Sequence, residues 1–175
     1  MAKKMKNIAI LSLLLTICSI FFYTKTKSGF LLSLSITFVT ISYHFLMRLF
    51  VGWIIDKILH NHVDYRQKWF QVSKTEQKFY QMIKVNKWKK KMPTYDATVF
   101  DQSRHSWDEI AQATCQAELV HEIIMILSFL PVLFSRWLGA LPVFVVTSVL
   151  SAGVDVMFVM MQRFNRNRIV KRKKR

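Results

Sequence analysis

Long apolar blocks alternate with charged stretches along the chain, and the blocks set the expected architecture. Residues 8–23, 30–55, 117–134 and 141–161 are rich in Ile, Leu, Val, Phe and Met, and the whole sequence holds only 4 Gly and 3 Pro. A bilayer's hydrocarbon layer of about 30 Å is crossed by a helix of about 20 apolar residues. The first block is slightly short for that and follows the basic leader Met1-Ala-Lys-Lys-Met-Lys. No small-residue cleavage site follows it, and Ile17 before Cys18 is too large for lipoprotein processing, so the block reads as a retained helix. The second would reach about 39 Å at 1.5 Å per residue and must tilt or leave the hydrocarbon near Gly52-Trp53. The expected fold class is an all-α integral membrane protein: one membrane domain, 1–175, with four transmembrane helices.

Between the second and third blocks lies a polar stretch, residues 60–116. Trp69-Phe70, Phe79-Tyr80, Met82-Ile83, Val85 and Trp88 are interleaved there with lysines, and the apolar positions near 79–83 trace a helical stripe that Asn86 and Lys87 interrupt. A solvated helix with a packed underside and a basic amphipathic helix on the membrane surface both suit that pattern. Met92-Pro93-Thr94 ends it.

Composition then sets the orientation. Lys+Arg number 26 against 10 Asp+Glu, a net charge of +16, with 52% hydrophobic residues. In a soluble chain such an excess points to nucleic acid; beside these blocks it points to loops against anionic membrane lipids, and nucleic acid is not an expected partner. Three lysines precede the first block, eleven basic residues lie from Lys57 to Arg104 and eight from Arg163 to Arg175, whereas the other two connections hold Lys25, Lys27 and Arg136 alone. Positive residues stay inside. Both termini, the loop 60–116 and the basic tail 162–175 are therefore expected in the cytoplasm of a multi-pass cell-membrane protein. The two cysteines, Cys18 and Cys115, provide neither a disulfide scaffold nor a cysteine metal site.

Ionisable side chains inside apolar blocks cost roughly 2.5–3.5 kcal/mol each on insertion scales and need a reason. His44, Arg48, Glu118, His121, Glu122 and Asp155 are the candidates, all expected toward the inner leaflet. His44 and Arg48 share a helical face, as do Glu118, His121 and Glu122. Plain structural duties exist for several: acids in a first turn complement the helix dipole, arginine snorkels to headgroups, and a neutral imidazole bonds a neighbouring helix. Asp155 is too short to snorkel and calls for a buried partner such as Arg48 or Arg163. The pair Glu118 and His121 carries the most chemistry, because a carboxylate one turn away can fix an imidazole's tautomer and make it a general base for a hydroxyl. One Glu-x-x-His copy is too few for a carboxylate-bridged di-metal site, so no metal is expected. At the end of the fourth block, Gln162-Arg163-Phe164-Asn165-Arg166-Asn167-Arg168 alternates guanidinium and amide side chains suited to phosphate oxygens.

Three segments carry a resemblance. Val85-Asn-Lys-Trp88-Lys with Pro93 and Phe100-Asp101, then Gln116-Ala-Glu118-Leu-Val-His121, then Gln162 to Arg168 resemble, in order and separation, the glycosyl-4,4′-diaponeurosporenoate acyltransferase family of staphyloxanthin-type carotenoid biosynthesis. The resemblance covers about half of the chain; it leaves His44 and Arg48 untouched, and Asn167-Arg168 stands where the family pattern usually has Pro-Arg. It implies transfer of a long acyl chain to a sugar hydroxyl of a glycosylated lipid, such as a glycosyl carotenoid. The partners implied are that lipid acceptor and an acyl donor, with no cofactor beyond a donor such as acyl-CoA. His121 would be the general base and Glu118 its orienter, with Trp88, Lys89, Arg163, Asn165, Arg166 and Arg168 touching donor or headgroup. Apart from the resemblance, their place in the apolar blocks makes His44, Arg48, Glu122 and Asp155 candidates to support that site. Two other readings stay open: a non-enzymatic membrane protein binding anionic lipid or a partner, and a small membrane methyltransferase.

Overall fold

Three of the apolar blocks become helices longer than themselves, and the third block is divided after Leu127. The computed structural model describes residues 2–94 and 98–173; Met1 of the basic leader, residues 95–97 of the polar stretch, and Lys174 and Arg175 of the tail lie outside the described residues. In order, the helices are α1 (Ala2–Thr26), α2 (Gly29–Leu59), α3 (Lys74–Met82), α4 (Val85–Trp88), α5 (Trp107–Leu127), α6 (Leu130–Leu133), α7 (Ser135–Leu138) and α8 (Leu141–Lys173), with no strand among the described residues. Four stretches are long and apolar enough to cross a membrane: Lys3–Thr26, Gly29–Leu59, Trp107–Leu138 and Leu141–Lys173. The all-α, four-span class holds.

Two expected boundaries are corrected. The third helix begins at Trp107, ten residues before the apolar block, because a capping box starts it. Ser106 Oγ accepts from Glu109 N at 3.3 Å while Glu109 Oε2 accepts from Ser106 N at 2.7 Å, which satisfies donors at the helix start. The fourth helix runs on to Lys173, so the described part of the basic tail is helical. The stripe near residues 79–88 is also not one helix. Lys84 adopts a left-handed backbone, φ 54°, and divides α3 from α4.

The contacts gather into two units. One comprises Ala2–Val51 and Ile124–Gly153. Its small hydroxyls turn inward: Ser42 Oγ donates to Ser12 Oγ at 3.0 Å, and Ser128 Oγ and Ser151 Oγ lie 2.9 Å apart. Others close on their own helix, as Thr40 Oγ1 does on the Ile36 carbonyl at 2.7 Å, because apolar surroundings offer no water to satisfy them. Tyr43 donates to the Leu127 carbonyl at 2.8 Å, where α5 stops ahead of Pro131. Large side chains such as Ile10, Phe50 and Leu150 stay exposed, as a lipid-facing surface requires.

The other unit contains Gly52–Ile123 and the C-terminal part of α8. Val63, Tyr65, Phe70, Ile110, Ala111, Cys115 and Ile169 form its core. A one-turn 3₁₀ helix, Lys68–Phe70, delivers Phe70 to that core, and α5 and α8 frame it. All the strongest polar contacts described next belong to this unit.

Candidate functional site

On α8, Arg163 extends a guanidinium whose five N–H groups are all engaged. Nε and Nη2 fork around the Glu76 carboxylate at 2.5 and 3.2 Å, Nη1 donates to Glu118 Oε1 at 2.5 Å and to the Trp69 carbonyl at 2.9 Å, and Nη2 also donates to the Gln71 carbonyl at 3.0 Å. One turn on, Arg166 donates through Nε and Nη2 to the Phe70 carbonyl at 3.1 and 2.8 Å. Its Nη2 also stands 2.5 Å from Glu118 Oε2, an ionic contact off the hydrogen-bonding axis. Glu118, with no exposed surface, therefore sits between two guanidinium groups. Such an arrangement fastens the carbonyls of residues 69–71 to α8.

Two expectations change here. Arg163 has its N–H groups engaged within the protein and Arg166 is 1% exposed, so here both guanidinium groups meet protein acceptors rather than open space. Glu118 does not orient His121 either, because two arginines compete for it at contact distance. Glu76, which sequence reasoning missed, completes the cluster: burial opposes its charge, but hydrogen bonds from Arg163 and Tyr80 outweigh burial and hold its carboxyl below the usual range. The Tyr80 phenol is raised by burial and by that same carboxylate.

The imidazole's partner comes from the other helix. His121 Nδ1 lies 2.8 Å from Asp155 Oδ1, with Asp155 1% exposed. The ring stacks on Phe158 with centroids 4.4 Å apart and planes 3° from parallel. A carboxylate at Nδ1 favours the tautomer that carries its proton there and leaves the Nε2 lone pair as acceptor. Nε2 has no hydrogen-bond partner among the described residues, and the side chain keeps 21% of its surface exposed. A carboxylate, an oriented imidazole and an open acceptor nitrogen are the parts of a general base.

A cavity of ≈ 430 Å³ opens in the same unit between the 3₁₀ turn Lys89–Lys91, α5 and α8. It brings together Lys89, Asn165 and Arg168 of the predicted contacts and adds Lys90, Trp107 and Arg172. Lys89 Nζ donates to Asn165 Oδ1 at 2.5 Å and sits 4.9 Å from the Phe164 ring centroid. Burial, then the charges of Arg168 and Lys90, push the Lys89 ammonium below its ordinary value. Trp88 stays outside this lining; its indole N–H bonds the Ile83 carbonyl at 3.1 Å.

The remaining candidates have structural partners. Glu122 accepts from Trp69 Nε1 at 3.1 Å. Arg48 donates to the Ser151 hydroxyl at 2.8 Å and to the His44 carbonyl at 3.2 Å, and His44 meets Tyr43 edge to face at 5.5 Å. Sequence signals existed for two missed residues: Arg172 stands one turn after the predicted Arg168, and Trp107 follows the capping serine.

Residues 66–175 match the protein family described as glycosyl-4,4′-diaponeurosporenoate acyltransferase. Neither a curated protein nor a solved structure matches the chain.

Proposed function

Starting from the fact that the chain belongs to the glycosyl-4,4′-diaponeurosporenoate acyltransferase family, we propose that it moves a long-chain acyl group from a thioester to a sugar hydroxyl of a glycosylated lipid, with a glycosyl carotenoid as the acceptor the family points to. The observation that carries the reading is the His121–Asp155 contact. His121 Nε2 accepts the proton of the sugar hydroxyl as its oxygen attacks the thioester carbonyl. Asp155 stabilises the imidazolium that results. Collapse of the tetrahedral adduct breaks the carbon–sulfur bond, and the imidazolium returns its proton to the departing thiolate. The ester and a free thiol leave, and the dyad is restored. Helices long enough to cross a membrane suit a substrate whose tail is lipid and whose sugar is polar.

Mass spectrometry of lipid extracts tests this. Cells making the chain and a glycosyl carotenoid should accumulate an acylated glycolipid, and cells making His121→Ala should not. Added methyl groups would favour a methyltransferase instead, and an unchanged lipid profile would favour a non-enzymatic role.

A further inference from the structure

The cavity between the 3₁₀ turn Lys89–Lys91, α5 and α8 is lined by cations, amides and apolar side chains. Lys89, Lys90, Arg168 and Arg172 line it, and among the described residues no Asp or Glu does. Lys90, Arg168 and Arg172 are exposed, whereas Lys89 and Asn165 are half-buried, so the charge lines an open mouth and continues inward. The Phe164 ring underlies Lys89 and Arg168, with centroid distances of 4.9 and 5.9 Å. Arg172 lies 5.8 Å from the Trp107 ring. Aromatic faces hold the cations in place without neutralising them, unlike carboxylates. That differs from the Arg163–Glu118–Arg166 cluster, where acids already occupy the guanidinium groups.

The cavity and the His121–Asp155 dyad are in register on both helices. Thr114 lines the cavity and precedes His121 by seven positions on α5; Gln162 lines it and follows Asp155 by seven on α8. Seven residues are two turns, so each pair shares a face at a separation of about 10 Å. Because both helices give the same spacing, the cavity and the dyad lie about 10 Å apart along the α5–α8 pair, with the buried Glu118 on the α5 face between them.

We propose that this cavity binds the phosphate groups of a coenzyme A thioester, with Arg168, Arg172 and Lys90 on the phosphates, Lys89 and Asn165 deeper, and the pantetheine arm directed toward His121. Four cations in one lining match a ligand bearing several phosphates rather than one. The inference rests on the acyl-transfer reading and specifies its donor.

The test is equilibrium binding of coenzyme A to the full chain in phosphatidylcholine nanodiscs, repeated with dephospho-coenzyme A and in phosphatidylglycerol nanodiscs. Coenzyme A should saturate a single site and bind more tightly than its dephospho form. Arg168→Gln combined with Arg172→Gln should weaken it at least about tenfold, with the thermal unfolding of that variant showing that it folds. His121→Ala should bind coenzyme A as the unaltered chain does while losing turnover. No saturable binding, or equal binding by the double variant, overturns the assignment. So does binding abolished by phosphatidylglycerol, which would give the cavity to a lipid headgroup. If coenzyme A fails to bind while the glycolipid is still acylated, acyl transfer stands and only this donor site falls; if it binds and no lipid is acylated, the reverse holds.

Discussion

Arg163 Nη1 stands 2.5 Å from Oε1 of Glu118, a carboxylate with no exposed surface, and this contact joins α8 to α5. Arg166 depends on the same carboxylate, so Glu118→Leu leaves a buried guanidinium without its counter-ion. We expect that variant to lose about 3–5 kcal/mol, measured by denaturant unfolding in micelles. Arg163→Lys keeps the charge but offers three donors in place of five, and we expect a smaller loss of about 1–3 kcal/mol. Because Arg163 holds the Trp69 and Gln71 carbonyls, tryptic cleavage after Lys68 should also accelerate. Unchanged cleavage would show that the turn is held by other contacts.

Asp155→Asn replaces a group that only accepts with one that can donate to Nδ1, which favours the wrong imidazole tautomer. Turnover should fall about 10²–10⁴-fold with KM for the glycolipid little changed. His121→Ala should fall as far, and the two losses should not add, since the residues act as a unit. Steady-state kinetics in detergent decide it. A decrease under tenfold in Asp155→Asn removes the orienting role given to this carboxylate.

Glu76 gives the fold a dependence on acid. Its carboxyl is held below the ordinary range, so the unfolded chain takes up this proton first as pH drops. The stabilisation is complete above the ordinary glutamate value, about pH 4.3, and disappears as pH falls through the lower folded value. The stability difference between the unaltered chain and Glu76→Gln should be constant near neutrality and narrow below about pH 4. Thermal melts across that range measure it; a difference that persists at the lowest pH would mean Glu76 acts through packing.

The excess of basic residues predicts that Thr94 faces the cytoplasm. Thr94→Cys should resist an impermeant maleimide in intact cells and react after permeabilisation. Background labelling should be low, because Cys115 is buried and Cys18, though exposed, lies within an apolar helix expected in the bilayer. Reaction in intact cells would invert the orientation.

The four spans were legible because lipid exposure demands long apolar runs, and hydropathy reports that demand. It does not report where a helix begins. α5 starts in polar sequence at Trp107, and only the Ser106 and Glu109 capping pair marked the spot. Spacing along one helix was similarly informative only within that helix. It put Glu118 and His121 on a shared face, but whether the imidazole meets Glu118 or Asp155 depends on which α8 residues stand opposite. With Arg163 and Arg166 there, Glu118 is drawn to the arginines, and His121 is left to Asp155. The alternating guanidinium and amide side chains were visible for the same reason, yet only Gln162, Asn165 and Arg168 of that stretch line the cavity, because Arg163 and Arg166 project to the packed side.

α8 runs unbroken from Leu141 to Lys173 and carries Asp155, Gln162, Asn165, Arg168 and Arg172 on a single rigid rod. Their mutual placement is thus written as residue counts. Inserting one residue between Asp155 and Gln162 would turn everything beyond it by about 100° about the helix axis, taking the cationic wall away from the dyad and both arginines away from Glu118. A family drifting under mutation can exchange many side chains on this helix, but insertions and deletions between positions 155 and 172 should be purged from it.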